Sequence, residues 1–140
     1  MAKLSSIASA SANPALTDQV VGVGGGTTDY LYSVSQLSAA MSPTPPNTQT
    51  GTSYTLALTD LGGIVEMSNT SSCTVTIANN ATVNFPVGAT IDVVQFNTGS
   101  VTIANAAGVT ILYNGSLTVP AQYYSVTLYQ HANNTWVLLL

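Results

Sequence analysis

The chain has 140 residues, of which 4% are charged: one Lys, no Arg, four Asp and one Glu, for a net charge of −4 with histidine neutral. An ordinary soluble domain carries about 25%, and a single cation can neither neutralise a run of phosphates nor seek an anionic membrane, so nucleic-acid and membrane-surface partners are excluded. No apolar run approaches the ~18 residues of a membrane span, and one cysteine, Cys73, rules out an internal disulfide or a multi-cysteine metal site.

The first residues pair Lys3 with Leu4-Ser5-Ser6-Ile7, too short an apolar run for a secretory signal, so the chain is expected to begin as a mature N-terminus. Residues 1–17 show neither a period of 2 nor one of 3.6 and read as an extended arm whose large apolar side chains are Leu4, Ile7 and Leu16. A short strand is predicted over Gln19 to Val23, carrying Val20 and Val21, followed by the run Gly24-Gly25-Gly26. One or two helical turns are predicted next, capped by Ser33 or Ser35, with Val34, Leu37 and Met41 on one face. Residues 1–41 therefore read as an attachment arm in which Leu4, Ile7, Leu16, Val20 and Val21 make the contacts. Residues 42–52 hold Pro43, Pro45 and Pro46 and read as a stiffened linker.

From residue 53 to 140 the pattern is short strands with turn signals between them. Strands are predicted at Tyr54–Leu58, Gly63–Met67, Cys73–Ala78, Thr82–Phe85, Thr90–Phe96, Ser100–Ala104, Val109–Tyr113, Ser116–Val119, Tyr123–Gln130 and Thr135–Leu140. Asn114-Gly115 is the clearest hairpin signal. The segment Val75-Thr76-Ile77-Ala78-Asn79 recurs as Val101-Thr102-Ile103-Ala104-Asn105, each followed by a turn and a second strand. Two copies are too few for a solenoid. The expected fold is mainly β, an antiparallel sandwich or barrel with one hairpin used twice, preceded by the arm and its short helix.

Chemistry-bearing motifs are sparse. Gly22-Val23-Gly24-Gly25-Gly26-Thr27 lacks the lysine of a phosphate loop and the third glycine of a dinucleotide fingerprint. His131, the sole histidine, falls in the last turn. Cys73 alternates with Val75 and Ile77 and reads as a buried thiol. Asp60 and Glu66 flank Leu61-Gly62-Gly63 and could pair as glycosidase carboxylates, but read more simply as a turn acid and an outward residue. Asp92, inside an otherwise apolar strand, must point outward or be hydrogen-bonded. Asn-x-Ser/Thr triplets at Asn69, Asn80, Asn114 and Asn133 are expected by chance in this composition. The expectation is no catalytic residue, no metal and no cofactor.

Apolar residues on both faces of Ile91–Phe96 and of Trp136–Leu140 imply burial against other subunits. The expected oligomer interface is Ile91, Val93, Phe96, Trp136, Leu138 and Leu140.

Thr17-Asp18-Gln19-Val20-Val21-Gly22-Val23 and Tyr30-Leu31-Tyr32-Ser33-Val34-Ser35-Gln36-Leu37 are similar to segments of bacteriophage fibre and tail proteins. Asp60-Leu61-Gly62-Gly63-Ile64-Val65-Glu66-Met67, the stretch Phe85 to Gln95, Val101–Val109, and the ending Tyr123–Leu140 resemble small β modules of the same virion proteins. The resemblance spans roughly 110 of the 140 residues. It implies a structural protein without chemistry, a homotrimer on the virion surface assembled in the host cytoplasm. Its partner would be the major capsid protein or another virion protein. The short chain, with no repeated shaft, points to a head decoration protein or short fibre. The alternative is a module binding a host-surface glycan or receptor through Tyr113, Tyr123, Tyr124, Tyr129 and Trp136. Exposure separates the two: interface aromatics are buried, sugar-binding aromatics lie open.

Overall fold

The computed structural model describes Gln19–Gly22, Tyr30–Ser33 and residues 44–140. The chain divides into two units, Met1–Pro43 and Thr44–Leu140. In the first, β1 (Gln19–Gly22) pairs antiparallel with β2 (Tyr30–Ser33), Gln19 opposite Ser33 and Gly22 opposite Tyr30. Val20-Val21 and Tyr30-Leu31-Tyr32 are strand formers, and β2 takes up the segment that leads into the expected helix. The rest of that helix, from Val34 to Met41, lies outside the described residues, as do Leu4, Ile7 and Leu16. The described residues contain no α-helix.

The second unit is mainly β, but its strands stack in parallel. Three rungs follow one another, each a strand, a corner and a strand of a second sheet. Rung one is β3 (Asn47–Gln49) and β4 (Ser53–Thr55). Rung two is β5 (Ile64–Met67) and β6 (Cys73–Ile77). Rung three is β7 (Thr90–Gln95) and β8 (Val101–Asn105). The first strands stack β3-β5-β7 and the second β4-β6-β8, all parallel. Between rungs one and two, the 3-10 turn η1 (Leu58–Asp60) carries the chain back.

The larger sheet then continues antiparallel. Its order is β3-β5-β7-β10-β11-β9, with β9 (Thr110–Tyr113), β10 (Ser125–Ala132) and β11 (Thr135–Leu139). The β10–β11 hairpin sits between β7 and β9, and β9 runs parallel to β11 at the edge. Residues 117–119 cover the free edge of β8, where the Ile103 amide donates to the Leu117 carbonyl and the Val119 amide to the Val101 carbonyl, both at 2.8 Å.

This solenoid-like stacking replaces the expected antiparallel sandwich or barrel: five of the unit's seven ladders are parallel. The reason lies in the corners. Residues 68–72 and 96–100 carry Asn, Ser and Gly as hairpin turns do, yet they lead into the second sheet instead of doubling back. The expected hairpin at Asn114-Gly115 does not form either, because β9 pairs with β11 and Thr118 bridges Thr102. Residues 82–85 form a turn, not a strand. Part of the expected linker is also structural, since the segment after Pro45-Pro46 enters the sheet as β3. Proline biases the residue before it to extended backbone, which suits entry into a strand.

Register fixes the core. Val65 lies against Val93, Val75 against Ile103 and Cys73 against Val101, all buried between the sheets. Alternation turns the residues between them outward. Trp136 and Phe85 meet edge to face, ring centres 5.3 Å apart at 88°. Rung one departs from this pattern because Asn47 and Gln49 occupy the inward column below Val65 and Met67. Their polarity is matched locally. Asp60, 3% exposed, accepts from the Asn47 amide (2.7 Å), the Tyr54 hydroxyl (2.9 Å) and the Ala57 amide (2.8 Å). Gln49 donates to Asn47 at 2.7 Å. The first rung is thus a polar layer closing one end of an apolar stack.

Candidate functional site

The expected chemical groups of residues 44–140 are accounted for by this frame; of the Gly22–Thr27 run, residues 23–27 lie outside the described residues. Asp60 belongs to the buried network just described, whereas Glu66 alternates with buried Val65 and Met67, faces outward and accepts from Thr48 Oγ1 at 3.0 Å. The two carboxylates therefore lie on opposite sides of the sheet and do not form a catalytic pair. Asp92 faces outward and accepts from the Thr127 hydroxyl, so both solutions open to its strand position are used. The Cys73 thiol is buried and donates to the Ser71 carbonyl at 3.2 Å. Burial pushes its pKa above the ordinary thiol value. His131 is exposed at the end of β10, edge-on to Tyr129. No group of three or more metal-ligating side chains occurs among the described residues.

Four of the six expected interface residues are used inside the chain. Ile91, Val93, Trp136 and Leu138 lie in the core between the sheets, while Phe96 and Leu140 are exposed. The outward positions on the same strands are Val94, Val137 and Leu139. Of the expected attachment residues, Val20 and Val21 lie in β1; the other three are outside the described residues.

Leu58, Leu61, Ile64 and Val87 are exposed at one end of the six-stranded sheet. Phe96, Leu112, Tyr113, Tyr123, Tyr124, Leu139 and Leu140, all exposed, lie at the other. There β7 ends at Gln95, β10 begins at Ser125, and β9 and β11 end at Tyr113 and Leu139. Phe96, Tyr123 and Tyr124 form the tight part of this rim, 46%, 72% and 57% exposed. The rings of Phe96 and Tyr123 stand 6.1 Å apart at 84°, a right-angled pair open to solvent.

The backbone holds this pair in place. The Tyr123 amide donates to the Gln95 carbonyl (2.7 Å) and the Gln95 amide to the Tyr124 carbonyl (3.1 Å), so the tyrosine loop is clamped on both sides to the end of β7. The Gln122 side chain donates to the Phe96 carbonyl at 3.3 Å. Tyr123 itself has φ of 67°, a left-handed conformation that costs a non-glycine residue roughly 1–2 kcal/mol. Strain of this kind persists only where the surrounding structure imposes it, and here the clamp does.

Of the five aromatics expected as a stacking platform, Tyr113, Tyr123 and Tyr124 are exposed, Tyr129 is half-buried and Trp136 is wholly in the core. Phe96, expected at a subunit interface, is exposed and belongs to the rim. Its signal was strand parity: in Ile91-Asp92-Val93-Val94-Gln95-Phe96 it shares the outward side with Asp92, not the inward side with Ile91. No protein-family model, curated protein or solved structure matches the chain.

Proposed function

We propose that this chain is a structural protein of a bacteriophage virion, a capsid decoration protein or short fibre. In this reading the N-terminal segment anchors it and the Thr44–Leu140 unit is displayed outside. The observation that carries the proposal is where the resemblance to phage β modules falls. Its segments around Ile64–Met67, Thr90–Gln95 and Tyr123–Leu140 coincide with β5, β7, β10 and β11, four adjacent strands that form the spine of the large sheet. The likeness therefore includes strands that build the sheet, together with the turns that lead into them at residues 60–63 and 85–89.

The physical character of the unit supports display. Its surface is neutral and polar, rich in Thr, Ser and Asn, with few charges to attract unrelated partners. The β8 edge is covered by residues 117–119, which removes one template for unwanted strand pairing. Homotrimer assembly in this reading uses outward residues of β9 and β11, Leu112, Val137 and Leu139, because the inward set is committed to the core. The partner of the anchor is the major capsid protein or another virion protein, and no catalytic step is assigned.

The test is to add the full chain, gold-labelled at its C-terminus, to purified tailed-phage particles assembled without it. Co-sedimentation and label at symmetry-related positions on head or tail are expected. Particles that pellet without the chain would remove the proposal.

A further inference from the structure

We infer that the aromatic rim built on the right-angled Phe96–Tyr123 pair, with the exposed Tyr124 next in the chain, is a binding site for neutral pyranose sugars of a glycan. This goes beyond the virion reading and does not depend on it.

The geometry suits a sugar ring. A pyranose has an apolar face of C–H groups and an edge of hydroxyls. An exposed aromatic face takes the first, because its negative quadrupole attracts the weakly positive C–H hydrogens. Two perpendicular rings offer one face for stacking and a second wall beside it. Hydroxyl and amide residues suited to the sugar edge, Asn97, Thr98, Gln122 and Ser125, flank the aromatics in sequence; Gln122 already donates to the Phe96 carbonyl and Asn97 accepts from the Thr98 amide. Nothing in this set is charged.

That neutrality selects the ligand class. A sialic or uronic acid carries a carboxylate that a cation would stabilise, and residues 44–140 hold three acids and no Lys or Arg. A cationic ligand such as a choline headgroup calls for an aromatic cage. Here the rings are open. Two outward acids lie on the neighbouring strands: Asp92, two residues before Val94 on β7 and already bonded to the Thr127 hydroxyl, and Glu66, across two strands from Ser125; both disfavour an anionic ligand.

Preorganisation separates a ligand site from an incidental apolar surface. The clamp on Gln95 fixes the Tyr123 backbone at positive φ, so the backbone carries no further ordering cost on binding and only the ring torsions remain to be set. A loop that only covered the core would gain nothing from holding a tyrosine 72% exposed in a strained conformation.

The test uses the full chain on a printed array of neutral, sialylated and uronate-containing glycans, followed by saturation-transfer NMR with lactose and with cellotetraose. Binding confined to neutral glycans is expected, with saturation passing from tyrosine ring protons to one C–H face of the sugar. Tyr123→Gly removes the ring while easing the backbone, so it should fold and still lose affinity about tenfold or more, near 1.4 kcal/mol. Tyr124→Ala should weaken binding in the same direction. Each of four results would overturn the proposal: no neutral glycan bound; binding unchanged in both variants; preference for an acidic glycan or phosphocholine; or variants that alter the sedimentation coefficient while sugar binding is absent, which would make the rim a contact between copies.

Discussion

Gly99→Ala should be the most damaging glycine-to-alanine change among the described residues. Gly99 lies in the rung-three corner, directly against the corner of rung two. A Cβ built there falls 2.0 Å from the Ser71 carbonyl oxygen and 2.5 Å from that of Asn69, both backbone atoms that no rotamer change can move. Carbon needs roughly 3.5 Å from such a neighbour, so the two corners must part by more than an ångström. The Gly99 amide bond to the Asn69 carbonyl, now 3.0 Å, would then break, and the Cys73 bond to the Ser100 carbonyl, 2.7 Å, would be strained. Overpacking costs about 1–3 kcal/mol and each lost hydrogen bond about 1 kcal/mol, for a total near 3 kcal/mol. For a unit of this size that lowers Tm by about 12–24 °C. Thermal unfolding of the full chain followed by circular dichroism measures it, with Gly51→Ala as control, since its nearest neighbour would be 3.6 Å away. If Gly99→Ala melts within about 4 °C of the parent, the corners do not stack as described.

Trp136→Ala should cost about 3–5 kcal/mol in urea denaturation, because it empties a fully buried site against Phe85; Trp136→Phe should cost far less, since it keeps a ring and removes an indole N–H that has no partner. The Tyr54 phenol is held above its ordinary value, first by burial and then by its hydrogen bond to Asp60 and the charge there, opposed by Asn47. A raised phenol stabilises the fold fully below the unfolded value of about 10 and loses that contribution as pH rises through the folded value. The urea midpoint should therefore fall between about pH 8 and pH 11 by more in the parent than in Tyr54→Phe, and equal falls would contradict this. Cys73, buried with its pKa raised, should react with a thiol-specific disulfide reagent only after denaturant is added; rapid reaction of the native chain would place the thiol at the surface.

Strand positions were legible because alternation is local. Ile91 to Val94 and Trp136 to Leu139 state where a strand lies, but Val94, Val137 and Leu139 are as apolar as their neighbours, so which side is inward was not legible there and both faces read as buried. Pairing was not legible, because it depends on where each corner sends the chain. The repeat shows how this misleads. Val75–Asn79 matches Val101–Asn105 at a spacing of 26 residues, yet the structure sets Cys73 opposite Val101 and Val75 opposite Ile103, a spacing of 28. A slip of two residues keeps every side chain on its own face, so apolar patterning cannot tell the two apart. The corners can: Asn69-Thr70 and Asn97-Thr98, with Ser72 and Ser100, recur at 28 and stack, the serine hydroxyls 3.2 Å apart. Rung one stayed hidden for the opposite reason. Its inward residues Asn47 and Gln49 break the apolar pattern, and only the partners Tyr54 and Asp60 make them tolerable there.

The candidate site was half visible. Composition marked Tyr123 and Tyr124 as aromatics near a strand start, and parity placed Phe96 outward, but their convergence requires the β10–β11 hairpin to lie beside β7. That adjacency comes from tertiary competition: β9, the strand that would continue the parallel stack, is displaced to the far edge and β10 takes the position next to β7. Only then do Gln95 and Tyr124 become neighbours, and only then does the clamp force Tyr123 to positive φ. Nothing in Ala121-Gln122-Tyr123-Tyr124 favours a left-handed tyrosine, since asparagine or glycine adopts that conformation at lower cost. The strain is thus imposed from β7. It follows that weakening the clamp, rather than altering either ring, should release Tyr123 from its left-handed conformation. Replacing Ala121, whose carbonyl accepts from the Tyr124 amide at 3.1 Å, by proline tests the opposite case: it fixes φ one residue before Gln122 and leaves that carbonyl in place. The Phe96–Tyr123 geometry should therefore survive Ala121→Pro, read as unchanged chemical shifts of the two rings.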